Sequence, residues 1–285
     1  SVDKSRVLME EFTKKHKNAQ LLINTKRKVQ FALNMGLERA MGEVFLRLDA
    51  HCFYPPNYIG SLASALKRTG ADNVGAVCIT QTKFTGLTAN AITKVLSHPL
   101  GVGGSQFRIG ADEEVEVDTV PFGCFKMETI KRLGGYNAKL DRNQDIELNK
   151  RILAQGGRIV LIPSVKCVYF ARDNWIDLAK NNFQNGKWNL LTVRITGKFK
   201  SLSLRHFIPL LFVLSILFAI FLGFIFSIIW VLLIVELAFY ALALLKVSFN
   251  LRTETTVLRV FWSFVVLHFS YGIGSMVGLF LFLKY

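Results

Sequence analysis

The chain has 285 residues, of which 51% are hydrophobic and 19% charged, with a formal net charge of +15. That apolar content excludes intrinsic disorder, which arises where a chain has too little apolar surface to bury. An ordinary soluble domain is excluded too, because residues 207–285 keep only Glu236, Lys246, Arg252, Glu254, Arg259 and Lys284 as charged side chains. Residues 1–206 hold the other 31 of 35 Lys+Arg and 18 of 20 Asp+Glu. Length and this split read as one globular domain followed by a membrane domain. No charged n-region with an apolar h-region opens the chain, so no secretory signal is expected.

In chain order, helical and strand periods alternate, the α/β pattern. Helices are expected over 6–15, 29–39, 57–68, 129–133, 144–155 and 175–196. Strands are expected over 21–23, 43–49, 73–79, 159–162 and 165–170, the last two separated by Pro163. The organisation reads as a domain over 1–173, an amphipathic helix and basic juxtamembrane segment over 174–206, and a membrane domain over 207–285. Cys52, Cys78, Cys124 and Cys167 form no C-x-x-C pair, so reduced thiols are expected rather than a zinc site or disulfide framework.

The tail offers apolar runs over 207–226, 228–245 and 260–283, each long enough for a bilayer. Residues 150–206 carry 11 Lys+Arg against Asp173 and Asp177. A basic segment beside a span suits the cytosolic face and anionic headgroups, so the charge points to membrane lipids and not to nucleic acid. Lys246, Arg252 and Arg259 return to the same side. Ser270, Gly274 and Gly278 recur every four residues, which suits either close helix approach or a plain lipid-facing surface. Glu236, mid-span, is read as hydrogen-bonded to a neighbouring helix.

Four constellations carry possible chemistry. Asp49-Ala50-His51 ends a strand, where open α/β sheets bind ligands, and a carboxylate with an imidazole suits a divalent metal, magnesium or manganese. Asp145, in the run 143–147 at a helix start, complements the helix dipole or serves as a general base. Gln184, Lys187 and Trp188 share a helix face, where a lysine can meet a diphosphate and a tryptophan can stack on a sugar or anchor at the interface. The run 101–108 (GVGGSQFR) and the stretch 117–123 (VDTVPFG) bring glycines that allow close backbone approach, without the pattern of a dinucleotide or ATP loop.

These elements, in this order before basic sequence and spans, resemble the family 2 glycosyltransferases with a GT-A fold, above all bacterial membrane enzymes of exopolysaccharide assembly of the succinoglycan type. The likeness rests on GEVFLRLDAH, GVGGSQFR, EVDTVPFG, RLGGYNAKLDRNQDIELNKR, and QNGKW followed by SLSLRH. It implies that Asp49 is the first Asp of a metal-binding D-x-D motif, with His51 in the place of the second carboxylate. It implies that Asp145 is the catalytic base, preceded by Gln144, and that Gln184, Lys187 and Trp188 form a Q-x-x-R-W-like element. Phe122 and Gly123 fall where the family lines the acceptor pocket, and Asp118 is grouped with these donor- and acceptor-binding residues.

The resemblance further implies a nucleotide-diphospho-sugar donor (a UDP-sugar), a polyprenyl-linked saccharide acceptor, inverting transfer, and a bacterial inner-membrane location with the catalytic domain cytosolic. SVDKSR resembles the end of the family's D-G-x-S-x-D-x-[ST] segment at Ser1, Asp3 and Ser5. The chain therefore reads as N-terminally shortened, its first strand, first helix and a nucleotide-contacting Asp expected before Ser1. The alternatives are a catalytically inactive membrane subunit of an assembly complex, and a transporter resting on Glu236 and His268.

Overall fold

The computed structural model describes residues 4–284, without the side chain of Lys284. Ser1 and Asp3 of the N-terminal likeness lie outside the described residues. The chain opens with helices α1 (Ser5–Lys15) and α2 (Val29–Arg39). Residues 21–23 between them are irregular, not the expected strand. A strand needs a ladder partner, and none of the described strands pairs with this run.

Strands β1 (Val44–Leu46) and β2 (Cys52–Phe53) follow, then α3 (Tyr58–Thr69) and β3 (Asn73–Thr82). The strand expected over 43–49 is thus shorter, and Asp49 sits in the turn between β1 and β2, its carbonyl accepting from the Cys52 amide at 3.2 Å. Next come α4 (Leu87–Leu96), the single turns α5 (Pro99–Val102) and α6 (Gln106–Ile109), and the short strands β4 (Val115–Glu116) and β5 (Cys124–Lys126). Helices α7 (Met127–Arg132) and α8 (Gln144–Ala154), strand β6 (Ile159–Ala171) and helix α9 (Trp175–Thr196) complete the globular part.

The sheet is mixed, in the order β1-β5-β3-β6-β2, with β4 also on β6. Only β3 and β6 run parallel. The two strands expected either side of Pro163 are one strand with a bulge. Ala76 pairs with Ile162 and Val77 with Lys166, so three residues of β6 are left out of register. A proline lacks the amide a ladder needs, and a bulge accommodates it.

Side chains alternate across the strands. Val74, Ala76, Cys78, Val160 and Ile162 pack against Tyr58 and Leu62 of α3. Val77, Ile159 and Leu161 pack against Leu37, Ile130, Leu148 and Ile152 of α2, α7 and α8. The central pair is therefore apolar on both faces, as strands buried between helix layers must be. All four cysteines are free, Cys78 and Cys167 lying with sulfurs 3.3 Å apart.

Helices α10 (Ile208–Gly223), α11 (Ile228–Asn250) and α12 (Val257–Lys284) form the tail. Three stretches, Leu204–Gly223, Ile228–Asn250 and Val257–Leu283, are long and apolar enough to cross a membrane. Glu236 accepts from the Ser215 hydroxyl at 2.6 Å, joining α11 to α10. His268 binds the Leu100 carbonyl through Nε2 and the Tyr240 hydroxyl through Nδ1, each at 3.0 Å. A carbonyl only accepts, so Nε2 carries the proton. Both polar groups behind the transporter reading are thus used as structural ties.

The small-residue stripe turns out to face protein. Helix α9 runs parallel to α12, tied by the Trp175 indole to the Ser263 hydroxyl at one end and by Arg194 to the Leu281 carbonyl at the other. A Cβ at Gly274 would lie 2.0 Å from the Phe183 carbonyl oxygen, and one at Gly278 2.5 Å from that of Lys187. On the α9 side, a Cβ at Gly186 would lie 2.0 Å from the Tyr271 carbonyl oxygen. The backbones approach as small residues allow. Ala91 and Val95 of α4 join Leu244, Val260, Phe264 and Leu267 in a further cluster, so the globular part is packed directly onto the tail.

Gly274→Leu should therefore abolish cooperative thermal unfolding of the purified chain or cost about 3 kcal/mol or more, at or above the usual range for overpacking. Gly60→Ala in α3, where a Cβ meets nothing within 4 Å, should instead stabilise by about 0.5–1 kcal/mol.

Candidate active site

The turn after β1 presents Asp49. Both of its carboxylate oxygens accept from Arg47, Nε at 2.7 Å and Nη2 at 2.8 Å. The Arg47 side chain is only 8% exposed, and its third nitrogen, Nη1, is buried without a hydrogen-bond acceptor among the described residues. The Asp49 amide donates to the Tyr54 hydroxyl at 2.8 Å, which holds the turn from below.

Asp145 lies in the first turn of α8. Its Oδ1 accepts from the Ile146 amide at 2.9 Å. Burial works to lower the Arg47 pKa, yet the hydrogen bonds from Arg47 to Asp49 and the charges of Asp145 and Asp49 raise it well above the ordinary guanidinium value. Both carboxylates thus act on one guanidinium, and both act on the Tyr136 hydroxyl as well. The charges of two acids that stand almost a hundred positions apart in the chain act on the same groups.

Phe122 packs beside them. Its ring meets His51 edge-on at 6.1 Å and lies 5.9 Å from the Arg47 guanidinium. Phe122 has φ of 49°, a left-handed conformation unusual for a bulky side chain and of the kind that clusters at functional sites. Gly123 follows because a Cβ there would meet the Asn73 amide oxygen at 2.4 Å and the Phe125 ring at 2.5 Å. His51 is exposed and also stacks edge-on against Tyr169 at 5.3 Å. Neither of its ring nitrogens has a hydrogen-bond partner among the described residues.

Of the residues that hold Asp145 in place, Arg142, Asn143 and Asn185 fall within runs marked in the sequence, whereas Asn181, Asn189 and Thr192 were not singled out from it. Arg142 donates to Asn181 at 3.1 Å and to Asn185 at 2.5 Å. Asn143 donates to Asn189 at 3.0 Å and to Thr192 at 3.3 Å. Asn143 occupies the capping position of α8 with φ of 61°, and its side chain turns to α9 instead of capping. The legible signal was the spacing of Asn181, Asn185, Asn189 and Thr192, a polar stripe on a helix whose opposite side is glycine-packed. Gln144 is buried at the α8 start. Gln184, Lys187 and Trp188 are half-buried on α9, and no hydrogen bond or ion pair engages the Gln184 or Lys187 side chain among the described residues.

Asp118 has a different setting from the other grouped residues. It accepts from the Ser203 hydroxyl and from Arg205 Nη2 at 2.9 Å, with Lys150 Nζ at 3.5 Å. It clasps the juxtamembrane segment to the globular part. The glycine run belongs to the same clasp: a Cβ at Gly103 would lie 3.1 Å from the Arg205 side chain, and one at Gly101 2.1 Å from the Val95 carbonyl oxygen. Those glycines serve chain packing.

The described residues contain no cluster of three or more His, Cys, Asp or Glu side chains able to hold a metal. Asp49 and His51 fit an open site instead. Each Asp49 oxygen takes one hydrogen bond and retains a further lone pair, and the His51 nitrogens are unengaged. Magnesium-type sites use one or two protein ligands and leave the rest to substrate phosphates and water.

Residues 1–125 match the sequence profile of glycosyl transferase family 2. Over that stretch the chain is similar to the family. Among curated relatives, this chain is 29% identical over 189 residues to the succinoglycan biosynthesis protein ExoA of Rhizobium meliloti (strain 1021), covering 66% of this chain and 56% of that protein. It is 27% identical over 223 residues to a dolichyl N-acetyl-alpha-D-glucosaminyl phosphate 3-beta-D-2,3-diacetamido-2,3-dideoxy-beta-D-glucuronosyltransferase of Methanococcus voltae, covering 76% of this chain and 68% of that one. The chain therefore spans little more than half the length of the first relative. Among solved structures, a mannosyltransferase of Pyrobaculum calidifontis, in complex with GDP-Man and Mn2+, superposes with a TM-score of 0.57 at 18% identity, over 93% of this chain and 74% of that one. The fold of this chain is accordingly of the GT-A glycosyltransferase kind, extended by three apolar helices.

The clasp makes a testable statement. Burial alone would raise the Asp118 pKa, but hydrogen bonds from Ser203 and Arg205 and the charges of Arg205 and Lys150 outweigh it and hold the group below its usual 3.8. A depressed carboxylate contributes stability above its unfolded pKa and loses it as pH falls through the folded one. Asp118→Asn should destabilise by about 1–3 kcal/mol near neutral pH. The difference from wild type should shrink below pH 3.8, as read by thermal unfolding in detergent.

Proposed function

We propose that this chain carries the transfer site of a membrane-associated, inverting glycosyltransferase that moves a sugar from a nucleoside-diphosphate donor to a lipid-linked or growing polysaccharide acceptor. One observation carries the reading: Asp49 and Asp145, far apart in sequence, act on one buried guanidinium. The relatives' printed names concern succinoglycan biosynthesis and a dolichyl-phosphate-linked sugar, which favours an acceptor held at a bilayer. The mannosyltransferase of the same fold is in complex with GDP-Man and Mn2+, which favours a nucleotide-sugar donor with a divalent metal. A UDP-sugar is the proposed donor. The basic segment before α10, and Lys246, Arg252 and Arg259 around the turn from α11 to α12, favour a transfer site on the cytosolic face of a bacterial inner membrane.

The residues divide the work as follows. Asp49 and His51 face the donor diphosphate and would hold magnesium or manganese together with it. Bound there, the metal supplies a Lewis acid against the charge of the leaving diphosphate. Phe122 and Gly123 line the acceptor side. Gln184 and Lys187 on α9 have no competing protein partner among the described residues and are available to the diphosphate, with Trp188 beside them for a sugar ring. Asp145 takes the proton of the acceptor hydroxyl as that oxygen bonds the anomeric carbon. The bond from the same carbon to the diphosphate oxygen breaks, and the nucleoside diphosphate leaves. Attack from the face opposite the leaving group inverts the anomeric centre.

Asp145→Asn should lower kcat by about 10²–10⁴-fold, the usual worth of a positioned base, while calorimetry with Mn2+ and UDP-sugar shows donor binding retained. Wild-type turnover by a folded variant would remove Asp145 from this role. Absence of any donor binding by the wild-type chain would instead favour an inactive subunit of an assembly complex.

A further inference from the structure

We infer that Arg47 keeps the Asp49–His51 site from taking up a divalent cation by itself, so that the metal enters only together with the diphosphate. The inference rests on reading Asp49 as the metal-facing carboxylate and goes beyond it by assigning the order and the residue that sets it. Three observations support it. Both Asp49 oxygens are held by one guanidinium at 2.7 and 2.8 Å, a planar fork that matches a carboxylate. The remaining nitrogen of that guanidinium is buried and unsatisfied among the described residues. The position two residues after Asp49 offers a histidine and not a second carboxylate.

The consequence is electrostatic. Asp49 and Arg47 cancel in direct contact, so a bare divalent cation finds no net charge there to attract it. It would also bring two positive charges up to a guanidinium only 8% exposed, where screening is weak. To bind Asp49 through a remaining lone pair it must settle beside that fork, against the charge of Arg47. A nucleoside diphosphate changes the balance, since its oxygens carry the negative charge that a cation needs and complete an open coordination shell. Arg47 is thus a positioning residue acting through Asp49, and it makes metal and donor binding cooperative.

The test is a titration of Mn2+ followed by electron paramagnetic resonance on the full purified chain, with Mn2+ alone and with Mn2+ plus UDP, and with GDP in a parallel series. Wild type should bind Mn2+ alone weakly and gain strongly with the diphosphate. Arg47→Met should bind Mn2+ alone about tenfold tighter or more, with a smaller gain from UDP or GDP. Arg47→Lys keeps a charge without the fork and should fall between the two. It supplies the same readout should Arg47→Met fail to melt cooperatively. Unchanged Mn2+ affinity in whichever of these variants folds would overturn the inference. Adding Asp49→Asn to Arg47→Met should erase the gain. If the gain persists there, the ion sits elsewhere, and it is the assignment of Asp49 as ligand that fails.

Discussion

Helix α9 has two working sides, and the relation of the proposed transfer site to the apolar tail depends on them. On one side Gly186 lets the α9 backbone sit against α12, where Gly274 and Gly278 answer it. On the other, Asn181, Asn185, Asn189 and Thr192 grip Arg142 and Asn143 at the start of α8. The first contact is van der Waals packing that only small residues permit. The second is a set of side-chain hydrogen bonds around a loop that would otherwise fray. Between them they set the distance from an apolar helix to the carboxylate of Asp145.

A second set of contacts works toward the same end. Asp118 holds Ser203 and Arg205, Arg259 donates to Thr88 at 3.0 Å, and His268 reaches the Leu100 carbonyl. The globular part is therefore fastened to the tail through α4, through the juxtamembrane segment and through α9. These ties set the height of the proposed site above the apolar helices. The strain held at Phe122 and the buried, under-bonded Arg47 sit at the middle of that site, where such costs are usually tolerated for function.

Much of this was legible in the chain. The contrast between residues 1–206 and 207–285 revealed the tail, and hydrophobic periodicity marked α2, α3, α8 and α9 close to their observed limits. Asp49, His51 and Asp145 stood out by residue type and by their places at a strand end and a helix start, and Phe122 only through the family resemblance. The strand at 21–23 misled because three apolar residues carry no information about a ladder partner. The strands β2, β4 and β5, of two or three residues each, are too short for periodicity to register. They exist because longer neighbours offer unpaired backbone groups. The stripe in α12 was ambiguous because small residues are equally compatible with lipid and with a packed helix.

The sequence by itself determined the class of the fold, the apolar helices and the residue types able to do chemistry, because composition and local period are properties of neighbouring residues. Only the tertiary structure decided that Arg47 forks Asp49, that the charge of Asp145 acts on the same guanidinium, that Asp118 serves a clasp, and that α9 is held between α8 and α12. Each of these is a meeting of residues distant along the chain or of side-chain directions set by packing. Hydrogen bonds of that kind depend on angles and on distances of a few ångströms, and those exist only once the layers have closed on one another.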